Sequence, residues 1–289
     1  VGRFAPSPTG PLHLGSLYTA LASFLQARSQ QGLWLLRIDD LDTARNVKGA
    51  ADAILSTLDS VGLHWDARVV YQSQCLDYYQ HHLNELTKKQ LLYPCSCSRK
   101  TLAASQSSTD VYSGICRHKV ITPDTPYTLR LKTDARTIHF EDGLQGFIAH
   151  DLAKQHGDFI LKRKDGIIAY QFAVVIDDDL QQVNQIVRGV DLLNETPKQI
   201  YLQQLLGLAT PDYMHVPIIV DQHGYKLSKQ TRAMAVDLTT PHKVIFELLV
   251  LLQQNPPIEL QQSSVSDMID WAVSHWTIEP LKNIQQVIA

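Results

Sequence analysis

The sequence lacks most of the signatures that place a chain quickly. No apolar run reaches the length of a membrane span, and the start shows no signal-peptide pattern, so neither a membrane protein nor a secreted one is expected. No Gly-x-Gly-x-x-Gly and no Gly-Lys-Ser/Thr loop occurs, which removes dinucleotide oxidoreductases and P-loop enzymes from consideration. Net charge is only −3, so no global basic field gathers a nucleic acid, and any RNA contact must come from a local patch. Cysteine is scarce, four in 289 residues. Cys95, Cys97 and Cys116 cluster while Cys75 stands apart, a distribution that suits metal binding in a cytoplasmic protein better than a disulfide framework. The apolar share of 44% is enough to bury a substantial core in one large domain with insertions.

What the chain does have is concentrated at its start. A short apolar strand, residues 1–5, runs into Pro6-Ser7-Pro8-Thr9-Gly10-Pro11, and a helix opens near Leu14. Three prolines in this turn fix φ and remove donors, so it is stiff. It delivers His13, Gly15 and Ser16 to a helix N-terminus, where backbone N–H groups and the dipole favour an anion. Leu14, Leu17, Tyr18, Leu21, Phe24 and Leu25 keep the spacing of one buried face. Strand, rigid turn and helix N-terminus outline a nucleotide site.

Further along, residues 33–38 read as a fully buried strand ending in Asp39-Asp40-Leu41-Asp42, and carboxylates past such a strand end lie where ligands bind in open α/β sheets. The alternative, favoured for Asp40 and Asp42, is that they cap a following helix. That helix would show Val47, Ala51, Ile54, Leu55, Leu58 and Val61 on one face, and another spans about 76–91. Strand and helix in alternation predict a doubly wound parallel sheet. At Tyr93-Pro94 the composition shifts. Cys95-Ser96-Cys97, with Cys116 beyond, is a metal signal that needs a fourth ligand, and Tyr112 and His118 are the candidates. Chemistry alone prefers the imidazole of His118, and buried free thiols are the non-metal alternative. Short strands follow to about 152. Lys162-Arg163-Lys164 precede the Asp165-Gly166 turn as a basic patch, an ordinary solvated edge or a phosphate contact. A helix over 196–206 stops at Gly207, residues 215–220 form a buried strand, and two amphipathic helices close the chain. Tyr170 could be a core aromatic, and Arg188 could serve an ion pair with Asp191.

The stretch Arg-Phe-Ala-Pro-Ser-Pro-Thr-Gly-x-Leu-His-Leu-Gly resembles the signature of class I glutamyl-tRNA synthetases, His13 to Ser16 being similar to their "HIGH" motif with Ser16 as its last residue. Residues 167–179 resemble their Tyr-x-x-Ala-x-x-x-Asp-Asp segment, Val187 to Asp191 match Arg-Gly-x-Asp, and Lys226-Leu227-Ser228-Lys229-Gln230 is similar to the "KMSKS" loop. These motifs cover about residues 1 to 235. The resemblance implies a Rossmann-type class I catalytic domain in which Pro6, His13, Gly15, Ser16, Lys226, Ser228 and Lys229 bind ATP. His13, Gly15, Lys226 and Lys229 would assist catalysis. Arg3, Phe4, Ala5, Pro6, Ser7, Asp39, Tyr170 and Arg188 would form the glutamate pocket, Asp39 standing where relatives have a glutamate that reads the ammonium. A Cys-x-Cys…Tyr-x-x-x-Cys zinc site in bacterial relatives points to Cys95, Cys97, Tyr112 and Cys116 as ligands of one structural Zn²⁺.

The expected plan is a first catalytic half at 1–93, an inserted zinc-containing α+β subdomain at 94–151, a second half with the lysine loop at 152–235, and a short helical region at 236–289. Glutamyl-tRNA synthetases continue with a large anticodon-gripping domain, no counterpart of which is expected here, and the plan resembles glutamyl-Q tRNA(Asp) synthetases. That likeness implies ATP with Mg²⁺, L-glutamate and the queuosine-bearing anticodon loop of tRNA(Asp) as substrates, and a monomer in the cytoplasm. The rivals are a synthetase charging the tRNA 3′ end and a His-x-Gly nucleotidyltransferase acting on a small metabolite.

Overall fold

The computed structural model describes residues 1–98, 100–102, 111–112, 114–122, 125–225, 236 and 238–289, so the expected phosphate loop with Lys226, Ser228 and Lys229 lies outside the described residues. In chain order the elements are β1 (Gly2–Phe4), α1 (Leu14–Ser29), β2 (Trp34–Ile38), α2 (Ala50–Ser60), β3 (Asp66–Tyr71), α3 (Leu76–Lys88), β4 (Leu92–Cys95) and β5 (Thr128–Leu131). The hairpin β6 (Thr137–Asp142) and β7 (Gly146–Asp151) follows, then β8 (Phe159–Lys162), α4 (Tyr170–Leu180), β9 (Gln185–Gly189), α5 (Thr196–Leu206), β10 (Asp212–Val216) and β11 (Ile218–Val220). Helices α6 (Pro241–Leu251) and α7 (Val265–His275) and strand β12 (Gln286–Ile288) complete it.

Strands β1, β2 and β3 pair in parallel, as do β9 and β10. The two groups meet where the backbone N–H groups of Asn184 and Gln185 donate to the Val1 carbonyl (3.1 and 3.2 Å), which sets β9 beside β1. Strand order reverses there, and in open α/β sheets that reversal opens a crevice at the carboxyl ends of the strands. On the far side β10 pairs in parallel with β6, and β7 runs antiparallel to β6. The sequence puts this hairpin in the 94–151 segment, and its hydrogen bonds attach it to β10. A separate antiparallel sheet, β4-β5-β8, carries Cys95 at the end of β4.

Burial departs from the sequence pattern in α1. Ten of the eleven residues from Leu17 to Ala27, all but Thr19, are buried and do not make one face: Tyr18, Ala20, Leu21, Ala22, Phe24 and Leu25 are all enclosed. A helix apolar all round is a buried helix. The sheet covers one side, and α6 and α7 cover the other through Ile245, Leu248, Leu249, Met268 and Ile269 in the same core. Helix α2 begins only at Ala50, and residues 41–49 turn without forming a helix, leaving Val47 half exposed with its N–H on the Pro8 carbonyl (2.9 Å). Asp40 and Asp42 therefore have no following helix to cap: Asp40 accepts from Ser73 N and Oγ, and Asp42 pairs with Arg45 and Arg163. The expected strand over 215–220 is two, because Pro217 has no N–H to continue the ladder. β11 instead takes β12 as a parallel partner, a strand the sequence pattern did not announce. Among the described residues no helix is long and apolar enough to cross a membrane.

Candidate active site

The turn after β1 is held against the end of β2, since Asp39 N donates to the Pro6 carbonyl (3.0 Å) and Thr9 N to the Ser7 carbonyl (2.8 Å). His13 is the N-cap of α1, with extended backbone (φ −102°, ψ 170°). Its Nδ1 accepts from Ser16 N (3.2 Å), so in the neutral ring the proton sits on Nε2, next to Ser16 Oγ (3.1 Å). The histidine expected to meet phosphate thus also builds the helix N-terminus that would receive it.

Arg3, Phe4, Ala5, Pro6, Ser7, His13, Gly15, Ser16, Asp39, Tyr170 and Arg188 all line one cavity of about 370 Å³ at the switch point between β1 and β9. Residues at 217–219 close one wall, and Thr9, Thr19, Asp191 and Leu192, which no motif singled out for this role, are among the other lining residues. Gly189 is there because a Cβ would lie 2.4 Å from Asp191 Oδ1, which folds back over it. Tyr170 begins α4 and is 38% exposed, so it is not a core aromatic. Arg188 is buried. Its Nε donates to His215 Nε2 (3.0 Å), its NH2 to Thr196 Oγ1 (2.8 Å) and its NH1 to the Tyr170 hydroxyl (3.4 Å).

Beneath the Arg3 and Asp39 end of the cavity lies a buried charge cluster that the motifs did not reveal. Arg3 donates to both Asp178 oxygens (3.2 and 3.4 Å). Arg37, fully buried on β2, donates Nε to Asp39 Oδ1 (2.8 Å) and NH1 to Asp178 Oδ1 (2.7 Å), and Asp177 lies 3.7 Å from its Nε. Asp177 itself accepts from the Tyr79 hydroxyl (2.6 Å) and Gln72 Nε2 (2.7 Å). Burial pushes Asp39 above its ordinary range and Asp177 to about 6 despite the Arg37 charge, while for Asp178 burial is outweighed by Arg3 and Arg37 and the shift is downward. Arg37 holds one oxygen of Asp39, which fixes the carboxylate at the cavity edge. The signal was present: an arginine inside Trp-Leu-Leu-Arg-Ile must find buried counter-charges.

The three clustered cysteines converge. Cys95, Cys97 and Cys116 bring their sulfurs within 4.8 Å of one another, with Cys97 Sγ 3.4 Å from Cys116 Sγ. The Tyr112 hydroxyl lies 3.3 Å from Cys95 Sγ and 4.0 Å from Cys97 Sγ, and accepts from Cys116 N (3.1 Å). Tetrahedral Zn–S bonds of about 2.3 Å place sulfurs about 3.8 Å apart, so three thiols and a phenol in this spacing fit a zinc ion. Gly157 lets the backbone at Tyr112 pass, since a Cβ there would meet the Tyr112 carbonyl at 2.6 Å and its φ is +61°. The Arg130 guanidinium sits 3.8 Å over the Tyr112 ring. Lys164 is not a free basic patch: its Nζ donates to the Ser96 and Cys97 carbonyls (2.8 and 2.9 Å), and Arg163 pairs with Asp42 and Asp165. Cys75 packs apart from the cluster, buried, with its thiol near the Tyr71 carbonyl.

The family described as "tRNA synthetases class I (E and Q), catalytic domain" matches residues 1–252. The glutamyl-Q tRNA(Asp) synthetase of Methylococcus capsulatus is 47% identical over 281 residues, covering 97% of this chain and 92% of the relative. That of Neisseria meningitidis serogroup C is 46% identical, covering 96% of each. Among solved structures, a glutamate tRNA ligase from Elizabethkingia meningosepticum superposes with a TM-score of 0.80 at 24% identity over 98% of this chain and 66% of its own, a likeness of fold.

Proposed function

Because the chain belongs to the glutamyl-Q tRNA(Asp) synthetases within the class I (E and Q) tRNA synthetase family, we propose that it activates L-glutamate with ATP, without needing tRNA, and esterifies it onto queuosine, the modified wobble nucleoside of tRNA(Asp). The glutamate α-carboxylate attacks the α-phosphorus of ATP, pyrophosphate leaves, and glutamyl adenylate forms. A hydroxyl of the queuosine cyclopentenediol then attacks the acyl carbonyl and AMP leaves. The chain's part is positioning and charge stabilisation, with no covalent nucleophile of its own.

Each end of the cavity has its task. The α1 N-terminus with His13, Gly15 and Ser16 takes the phosphates, joined by Lys226, Ser228 and Lys229 of the late loop. Mg²⁺ enters with ATP and neutralises part of the phosphate charge. Asp39 reads the ammonium of glutamate, while Arg3 and Arg188, with the Ser7 and Tyr170 hydroxyls, receive its carboxylates. Segment 94–151 carries a structural zinc ion on Cys95, Cys97, Cys116 and Tyr112. Tyr112 is chosen over His118 because its hydroxyl stands among the sulfurs.

The observation that carries this reading is a single cavity lined both by a helix N-terminus and by two arginines with an aspartate. The test is transfer of labelled glutamate to tRNA(Asp) with and without queuosine. Labelling is expected only with queuosine, and equal labelling of both tRNAs would eliminate the proposal in favour of charging at the 3′ end.

A further inference from the structure

Three adjacent strands place Asp142, His215 and Arg188 in a row. β10 pairs His215 with Arg188 of β9 in register, and the same strand pairs Tyr213 with Asp142 of β6. Asp142 ends β6 with its Oδ1 accepting three backbone N–H groups, from Leu144 (3.1 Å), Gln145 (2.9 Å) and His215 (3.1 Å). Its Oδ2 faces His215 Nδ1 in a short hydrogen bond, both side chains being fully buried.

The protons in this row have one consistent arrangement. An ionised carboxylate only accepts, so Nδ1 carries the hydrogen. Arginine only donates, so Nε2 must offer its lone pair to Arg188 Nε. A doubly protonated ring would set N–H against N–H. Burial and the Arg188 charge press His215 toward the neutral form against the pull of Asp142. For Asp142, burial is outweighed by the hydrogen bond from His215 and by the backbone donors of Gln145 and His215, so the shift is downward and it stays ionised. Arg188 is thereby tied back along its Nε edge and at NH2, where Thr196 accepts, and NH1 beside Tyr170 is the edge that meets the cavity.

We propose that Asp142 and His215 are positioning residues that aim the Arg188 guanidinium at a substrate carboxylate, through an imidazole whose proton is held on Nδ1. This rests on the proposed function, in which Arg188 reads glutamate. Neither residue belongs to a motif, and both act through Arg188 without lining the cavity.

Asp142→Asn is the decisive perturbation. The three backbone donors keep the carboxamide oxygen at the Oδ1 position, which turns the NH2 toward His215 Nδ1. The imidazole must then move its proton to Nε2, where it opposes the N–H of Arg188 (3.0 Å) and competes with Arg188 NH2 for Thr196 Oγ1 (3.2 Å from Nε2). In glutamate-dependent ATP–pyrophosphate exchange, Asp142→Asn and His215→Phe are expected to raise the KM for glutamate about tenfold or more while the KM for ATP stays within about twofold, a split that general destabilisation does not produce. His215→Gln can still present an oxygen to Arg188 and is expected to recover most of the glutamate affinity lost in His215→Phe. Long-range ¹H–¹⁵N NMR of the wild type is expected to show His215 protonated on Nδ1 alone. A proton on Nε2, or an unchanged glutamate KM in folded Asp142→Asn, overturns the proposal. If Asp142→Asn does not fold, the His215→Gln against His215→Phe comparison decides in the same way, equal KM values refuting it. Wild-type protein without any glutamate-dependent exchange refutes the proposed function instead, and the NMR result still judges the proton arrangement.

Discussion

Arg37→Met removes the charge that three buried carboxylates share. Arg37 has no exposure and contacts Asp39 at 2.8 Å, Asp178 at 2.7 Å and Asp177 at 3.7 Å. Methionine fills much of the same space, so the loss is electrostatic more than a cavity, and Arg3 becomes the remaining cation of the cluster. Breaking a buried pair from one side costs about 3–5 kcal/mol, against a total stability of about 5–15 kcal/mol. The three contacts do not add, because a stranded carboxylate can take up a proton, at about 1.4 kcal/mol per unit of pKa, which caps the penalty. That escape gives the prediction its pH dependence. Without Arg37 the folded-state pKa values of Asp39 and Asp177, already above the ordinary range, rise further, and Asp178 loses one of the two charges that hold it down. Stability is then fully present below the unfolded pKa and is lost as pH rises through the folded one. Asp177 already stands at about 6 with Arg37 in place, so the loss should develop from about pH 4 upward and extend past pH 6. Urea unfolding followed by circular dichroism should show a deficit of about 3–5 kcal/mol near pH 8 and a clearly smaller one near pH 5. A deficit under about 1 kcal/mol at pH 8, or one that is larger at pH 5, would show that Arg37 is not the neutralising charge.

Two further outcomes are expected. Purified protein should hold about one zinc per chain; Cys116→Ser should abolish it and lower the melting temperature, Tyr112→Phe should weaken it, and His118→Ala should leave zinc content by metal analysis unchanged. Lys229→Ala should slow glutamate-dependent pyrophosphate exchange at least tenfold, about 1.4 kcal/mol of barrier, and wild-type rates would remove the lysine from the phosphate site.

Much of the candidate site was legible because its residues sit at chain positions that local chemistry marks. A proline-stiffened turn before a helix and an aspartate just past a buried strand are each recognisable without knowing what lies opposite. Helix α5 and its glycine stop at Gly207 were likewise local events, set by propensity and a left-handed C-cap. Two of the departures share one cause. The spacing in α1 implied a single buried face, since the sequence does not say that α6 and α7 return to cover the other side. Asp40 and Asp42 were read as caps, but their partners Ser73 and Arg163 lie far along the chain.

By itself the sequence determined the alternation of strand and helix, the stiff entrance at Pro6 to Pro11, the cysteine cluster and the polar side chains that line the candidate site. Only the tertiary structure decided which of these meet. The reversal of strand order between β1 and β9 brings Arg3 and Arg188 to one cavity, and strand register lines Asp142 and His215 up behind Arg188. Propensity and turn chemistry act over a few residues, whereas buried charges are satisfied by partners more than a hundred residues away, as with Arg37 and Asp178, and a linear pattern does not carry that pairing.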